Sequence, residues 1–153
     1  MTKNYIIRPI NLFDQDKIKV LLDECKPFIL RHHEYLYWIL CSYYATTSFV
    51  CEDDDKIVGF VSGLASIETS SIFIWQICVH PGYRQKKIAH ELLDSVYKRL
   101  KELNFTSMQF SIDRDNFPSY KFFKNFAKRK SLAIEKISDE PICNSNEVSY
   151  KIC

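Results

Sequence analysis

Glycine is scarce, with three in 153 residues, beside much Lys, Ile, Asn and Tyr. That bias fits A/T-rich coding and carries no functional information. No stretch reaches the roughly 20 consecutive apolar residues of a membrane span. The opening residues 1–9 break off after Ile6 and Ile7, short of the apolar region of a secretory signal. A cytoplasmic chain without a membrane partner is therefore expected. Charge of one sign is also missing: 21 basic residues stand against 19 acidic ones, a net charge of +2. No overall basic field points to nucleic acid. The six cysteines, at 25, 41, 51, 78, 143 and 153, show none of the short paired spacings of zinc sites, and disulfide scaffolds are denser. Cys41, Cys51, Cys78 and Cys143 lie in or near apolar runs and are read as reduced core thiols. Internal repeats and linkers are absent.

What is there suffices for one core. The chain is 46% hydrophobic and 14% aromatic, and its length fits one domain over residues 1–153. Residues 5–8 read as a short strand closed by Pro9. Asp14 can cap a helix with Ile18, Leu21, Leu22 and Cys25 on one face and Pro27 just beyond. Residues 35–44, nearly all apolar or aromatic, predict a largely buried second helix. Residues 48–51 and 57–65 form a hairpin around the acidic tip 52–56. Residues 72–79 are too continuously apolar for a half-exposed strand, so a central strand covered on both faces is expected. A long helix follows, with Ile88, Leu92, Val96, Leu100 and Leu103 on one stripe and Asp94 paired with Lys98 on the wet side. Residues 105–112 predict a strand. Asp115 or Asn116 then caps a helix carrying Ser119, Phe122, Phe123 and Phe126. Weak strands are expected at 133–137 and 147–152. The order βααβββαβαββ is that of a mixed α/β (α+β) domain.

The strongest chemical signal is the segment 79–89, Val-His-Pro-Gly-Tyr-Arg-Gln-Lys-Lys-Ile-Ala. A strand stops at Pro81-Gly82, and the chain turns through basic residues straight into a helix N-terminus. Unpaired N–H groups and the helix dipole welcome an anion there, and successive N–H groups in the turn can form a pyrophosphate nest. A solvated basic loop is the alternative.

This segment resembles the acetyl-CoA pyrophosphate loop of the GNAT superfamily of N-acetyltransferases, whose pattern is Arg or Gln, two residues, Gly, one residue, then Gly or Ala. Arg84 and Ala89 fit, while Lys87 stands where the family has glycine. Lysine can supply charge but not glycine's backbone freedom. The segment 115–123 resembles the family's Asn-x-x-Ala/Ser stretch, through Asn116 and Ser119. The place of the tyrosine that often protonates the leaving thiolate is taken by Phe123, which has no proton to give. An ordinary N-cap is the other reading of Asn116. The resemblance implies a GNAT fold of six to seven strands and about four helices, with acetyl-CoA as co-substrate. Its implied contacts are Ile77, Cys78, Val79, Arg84, Gln85, Lys86, Lys87, Ile88, Ala89, Asn116, Ser119 and Phe123.

A closer resemblance covers about residues 5–152. Residues 35–41, 58–61, 75–77, 115–119, 126–129 and 147–152 are similar to the L-2,4-diaminobutyrate N-γ-acetyltransferase family of ectoine biosynthesis, which also has Phe at the Phe123 position. That likeness implies a small-molecule amine substrate. Trp75 would lie against its aliphatic chain, and Glu147 would face an ammonium. A core tryptophan and an exposed strand carboxylate are the alternatives. The family's Leu-Asp-Leu-Asn-Ser stretch is replaced by residues 28–34, without an Asp and with Glu34 displaced, and Asn144 stands where the family has His. Acetylation of another amine (a polyamine, lysine or a protein lysine) and a non-catalytic acyl-CoA-binding module stay open, as does a homodimer.

Acetyl transfer requires an ammonium to lose a proton, a thioester carbonyl to be polarised and a thiolate to leave. A central strand splayed from its neighbour would free a backbone N–H near 77–79 as an oxyanion donor. Proton removal would run through water to Glu147 or Glu34. No metal is needed; His32-His33 and Asp53-Asp54-Asp55 read as solvated surface. Lys128-Arg129-Lys130 is too short for a nucleic-acid footprint and complements a helix C-terminus.

Overall fold

The computed structural model describes residues 3–153. Its elements are β1 (Tyr5–Pro9), α1 (Gln15–Glu24), α2 (Glu34–Tyr43), β2 (Phe49–Asp53), β3 (Lys56–Ser66) and β4 (Ser71–Val79), then α3 (Ile88–Glu102), β5 (Ser107–Asp113), α4 (Phe117–Arg129), β6 (Ile134–Lys136) and β7 (Glu147–Ile152). The strands form one sheet in the order β1-β2-β3-β4-β5-β7-β6. Among the described strands only β4 and β5 run parallel, because α3 carries the chain back between them. The β2–β3 hairpin turns through Asp54 and Asp55, both at positive φ (50° and 66°), as a tight turn matched to strand twist requires. The expected mixed sheet with four helices is what forms.

Helices cover both faces. On one face Leu92, Val96 and Leu100 of α3 and Phe126 of α4 pack on Ile72, Phe110 and Ile112. On the other, Ile18, Leu21 and Leu22 of α1 join Tyr37 and Leu40 of α2 against Val50 and Phe60. Each fully buried side chain of this size contributes about 1.5–3 kcal/mol.

Several expectations are corrected. Helix α2 buries only Tyr37, Leu40 and Cys41. Its outer aromatics stack on one another instead, Tyr35 on Trp38 at 5.3 Å and Trp38 edge-on to Tyr43 at 5.7 Å. Asp94 meets Arg129 at 3.1 Å and Lys130 at 3.0 Å, not Lys98, because the C-terminus of α4 brings two cations to it. Asp14 stands before α1 but gives it no side-chain cap; its carboxylate serves Arg8 and the Asn11 N–H. Strand β5 begins at Ser107, not at 105. Asn104 takes φ 56°, and the N–H groups of Asn104 and Phe105 close the end of α3 on Lys101 and Leu100 carbonyls, the paired bonds of a Schellman C-cap. Cys143 is exposed, whereas Cys25 is buried with Cys41, Cys51 and Cys78. Strand β4 is not covered throughout: Phe73, Trp75, Ile77 and Val79 are only half-buried, because the strand is flanked by clefts.

Candidate active site

One irregularity in β4 organises the site. Ile74 lies opposite Gly63 and Gln76 opposite Ser62, so Trp75 is an extra residue in the strand. Such a bulge bends its strand and increases twist. It also changes phase. Ile72 and Ile74 pack with α3 and α4, while Trp75 and Cys78 pack with α1 and α2. Gly63 is required beside it, because a Cβ there would meet the Thr47 carbonyl oxygen at 2.3 Å.

Past the bulge the parallel pairing stops. Strands β4 and β5 match from Ser71 opposite Ser107 to Ile74 opposite Phe110 and no further, although β4 runs to Val79 and β5 to Asp113. Beyond this seam β5 is paired only with β7. The His80 N–H donates to the Val58 carbonyl on β3 at 2.8 Å. Strand alternation therefore turns the N–H groups of Ile77 and Val79 to the opposite edge, toward the slot left by β5. The expected splay is present at the expected residues.

On the α3 side the slot opens into a cavity of about 310 Å³. Its wall includes Val79, Arg84, Gln85, Lys87, Ile88 and Ala89, all six expected from the sequence, together with Tyr83, His90 and Phe122. After β4, His80 Nδ1 accepts the Gly82 N–H at 3.0 Å, which shapes a 3-10 turn over Pro81–Tyr83. Gln85 and Lys87 then both take left-handed backbone, φ 66° and 63°. Lys87 thus keeps the conformation that glycine adopts freely, at a cost of about 1–2 kcal/mol. The lysine carries the glycine's geometry as well as a charge, which the sequence reading denied it.

Other expected residues sit elsewhere. Lys86 Nζ lies 4.9 Å from the Tyr83 ring centroid. Cys78 is buried on the α1 side, where its thiol is held well above the usual range by a hydrogen bond with Cys25 and by burial. Asn116 Oδ1 accepts the Ser119 N–H at 3.2 Å, the N-cap bond of α4. Phe123 is buried, stacked on Phe110; its neighbour Phe122 reaches the cavity. The Arg84 guanidinium lies 5.4 Å over the Phe28 ring, a cation–π contact that links the loop to residues before α2.

His90, Phe122 and Tyr83 were missed. The signal for His90 was its place just after Ala89 in the first turn of α3. Its Nδ1 is sealed from solvent without a hydrogen-bond partner, and its ring centroid is 4.9 Å from that of Phe122. Burial lowers its pKa; Arg129 and Lys87 push the same way, and Asp94 opposes them. The cavity walled by Arg84 and Lys87 at the first turn of α3 offers cationic side chains and helix N-terminal N–H groups to an anionic ligand. The residues present fit a coenzyme A phosphate.

The other side of the slot carries Trp75. Its indole is 4.9 Å from His32 and 6.2 Å from Tyr37, centroid to centroid. With Leu36, Ile39, Leu40 and Leu64 it lines an apolar groove of about 160 Å³. Gln76 fixes this wall: its Oε1 accepts from the Tyr37 hydroxyl at 3.2 Å, and its Nε2 donates to the Leu30 carbonyl at 3.0 Å. Tyr37 Oη in turn accepts the His32 N–H at 3.0 Å. Glu147 opens β7 opposite Asp113. Because Phe110 and Ile112 point to the α3 side, Ser111 and Glu147 point to the Trp75 side. The Ser111 hydroxyl donates to Glu147 Oε2 at 3.0 Å. Trp75 and Glu147 thus share a face of the sheet with β5 between them. Glu34, the first residue of α2, lies 3.3 Å from Lys19 Nζ, which turns its carboxylate toward α1.

No helix among the described residues is long and apolar enough to cross a membrane. Residues 16–127 match the Acetyltransferase (GNAT) family. The L-2,4-diaminobutyric acid acetyltransferase of Vibrio cholerae is 29% identical over 114 residues, 74% of this chain and 65% of that protein. That of Streptomyces coelicolor is 31% identical over 107 residues, 68% and 62% of the two chains. The chain therefore spans a little under two thirds of these relatives' length. Among solved structures, diaminobutyrate acetyltransferase EctA from Paenibacillus lautus, in complex with its substrate L-2,4-diaminobutyric acid and coenzyme A, superposes with a TM-score of 0.82 at 20% identity. It covers 99% of this chain and 95% of that one. Arabidopsis thaliana Naa50, in complex with the bisubstrate analogue CoA-Ac-MVNAL, gives 0.73 at 15% identity over 98% and 97%. These structures share the fold, and with residues 16–127 matched, the chain belongs to the Acetyltransferase (GNAT) family.

Proposed function

We propose that this acetyltransferase takes its acetyl group from acetyl-CoA and transfers it to the primary amine of a small diamino acid, with the γ-amine of L-2,4-diaminobutyrate as the leading acceptor. The observation that carries the reading is the slot itself. Its edge presents the Ile77 and Val79 N–H groups, with a basic cavity on one side and the Trp75–Glu147 face on the other. Relatives named for that acceptor support the substrate class.

Acetyl-CoA supplies the activated thioester. Arg84 and Lys87, with the N–H groups that begin α3, would hold its phosphates. The Ile77 and Val79 N–H groups would face the carbonyl oxygen and stabilise the charge that develops there. Trp75 offers its indole to an aliphatic chain. Glu147 offers a carboxylate to an ammonium and, through water, a destination for its proton. Glu34 is the less available carboxylate, because Lys19 already engages it. A thiolate would leave without a tyrosine acid, since Phe123 has no hydroxyl.

Acceptance of another amine is the second reading, favoured by the lack of any Asp between Phe28 and Glu34. The test is thiol release from acetyl-CoA with 2,4-diaminobutyrate, ornithine, lysine and putrescine at equal concentration. Turnover of diaminobutyrate above the others supports the leading reading. Inert diaminobutyrate beside a reactive amine overturns it in favour of the second. Acetyl-CoA binding with no reactive amine would instead make the chain an acyl-CoA-binding module.

A further inference from the structure

Resting on the diamino-acid reading and deepening it, we infer that His32 recognises the α-carboxylate of the acceptor, its imidazole N–H donating to a carboxylate oxygen. A diamino acid carries that anion, and the groups assigned so far leave it unmatched: Trp75 takes the aliphatic chain and Glu147 an ammonium. A polar group brought into a site without a partner weakens binding. A site that selects a diamino acid over a bare diamine therefore needs a donor on the Trp75 face.

The segment before α2 supplies one. Its other charged or titratable groups are engaged elsewhere. Arg31 Nε lies 3.5 Å from Asp23 Oδ1 on α1, and Glu34 is held by Lys19. His33 is the N-cap of α2, its Nδ1 accepting the Tyr35 N–H at 3.2 Å. His32 differs. It is exposed, and its ring nitrogens have no hydrogen-bond partner among the described residues. Its position is nevertheless fixed. The ring lies 4.9 Å from the Trp75 indole, tilted by 38°, and the backbone N–H is held by Tyr37 Oη. Gln76, buried and next to Trp75 in β4, grips both that hydroxyl and the Leu30 carbonyl. The backbone on both sides of Arg31 is thus fastened to β4 beside the bulge. Trp75 is the first residue of β4 past the pairing with β5, so a chain lying on its indole brings its carboxylate alongside the imidazole. The ionised acceptor makes the bond charge-assisted even from a neutral ring, and a ring already held in place spares the cost of ordering it.

The pair of acceptors that isolates the contact is 2,4-diaminobutyrate and 1,3-diaminopropane, the same chain without its carboxylate. With saturating acetyl-CoA, the unmodified chain should favour the amino acid by about tenfold or more in kcat/KM. His32→Phe keeps a ring on Trp75 but removes the donor. It should raise KM for diaminobutyrate about tenfold, leave kcat and the kinetics with 1,3-diaminopropane near their original values, and so erase the preference. His32→Gln restores an N–H and should recover part of it. In the unmodified chain with coenzyme A bound, the His32 ring resonances followed by NMR should shift on addition of diaminobutyrate and not of 1,3-diaminopropane, which needs no variant to fold. Equal kcat/KM for the two amines in the unmodified chain, an equal loss on both in a folded His32→Phe, or ring resonances that respond alike to both overturns the inference and leaves the acetyltransferase reading intact. Inert diaminobutyrate beside a reactive amine overturns the inference together with the diamino-acid reading.

Discussion

Phe123 lies flat on Phe110, ring centroids 3.8 Å apart and planes 8° from parallel. The side chain that replaces a tyrosine acid is therefore part of the core stack, with Phe122 edge-on at 5.3 Å. A hydroxyl added there would need a partner inside the core, at a cost of roughly 1–3 kcal/mol if it finds none. Phe123→Tyr should lower stability in denaturant titration and change turnover by less than about tenfold, a barrier change under roughly 1.4 kcal/mol. A gain of roughly a hundredfold would show that the step lacked only its acid.

Arg84→Ala should weaken acetyl-CoA binding more than Lys87→Ala does. Arg84 loses both a phosphate contact and its place over Phe28, whereas Lys87→Ala removes one charge alone. One charge-assisted contact is worth roughly 1.5–3 kcal/mol, so calorimetry should show Arg84→Ala at least tenfold weaker. Unchanged affinity would remove Arg84 from the phosphate site.

Lys87→Gly should stabilise the protein. With φ at 63°, glycine relieves left-handed strain, and part of the gain is lost to the freer unfolded chain; about 0.5–1 kcal/mol should remain. Lys87→Val, stiff and β-branched, should lose stability. A rise in melting temperature for the first and a fall for the second is the expected pattern.

Glu147→Gln keeps shape and the Ser111 hydrogen bond but removes charge. The kcat/KM for the preferred diamino acid should fall about tenfold or more, roughly 1.4 kcal/mol, while acetyl-CoA affinity holds. With no Asp between Phe28 and Glu34, preference for 2,4-diaminobutyrate over ornithine and lysine should also be shallow, since a missing charge partner weakens rejection of longer chains. Steady-state kinetics over the four amines measures both.

Acid should weaken the anchor between β1 and α1. Arg8 donates to both Asp14 oxygens at 2.8 Å. Burial pushes the Asp14 carboxyl up, but the hydrogen bonds from Arg8 and the Asn11 N–H outweigh it and hold the carboxyl below its usual value. A depressed carboxylate stabilises the fold above the unfolded-state value near 4 and loses that contribution as pH falls through the folded value. Asp14→Asn should thus cost about 1.5–3 kcal/mol at neutral pH and progressively less in denaturant titrations carried toward pH 3. An equal penalty at both ends would rule out the ionic origin.

The sequence made the helix and strand order readable because Ile88, Leu92, Val96 and Leu100 repeat at helical spacing, and because the 72–79 run ends abruptly at Pro81. The basic loop was legible for the same local reason. What was hidden depends on partners far along the chain. Nothing around residue 94 announces Arg129, and an apolar run cannot tell that Tyr35 and Trp38 face outward while Tyr37 faces in. Trp75 was visible as a residue but not as a bulge, because a bulge is a property of two strands. His90 was invisible since only the folded cavity shows that its nitrogen lacks a partner.

The seam between β4 and β5 has a mechanical consequence. Four matched residues on each side, from Ser71–Ser107 to Ile74–Phe110, join two antiparallel ribbons that otherwise go separate ways. Past that rivet the ribbons behave as the jaws of a clamp whose gape at Val79 follows from their angle at Ile74. Phe110 is the fulcrum, wedged between Ile74 on one ribbon and Phe123 beneath. Trimming or enlarging Ile74 or Phe110 therefore resets the width of a slot that neither side chain enters.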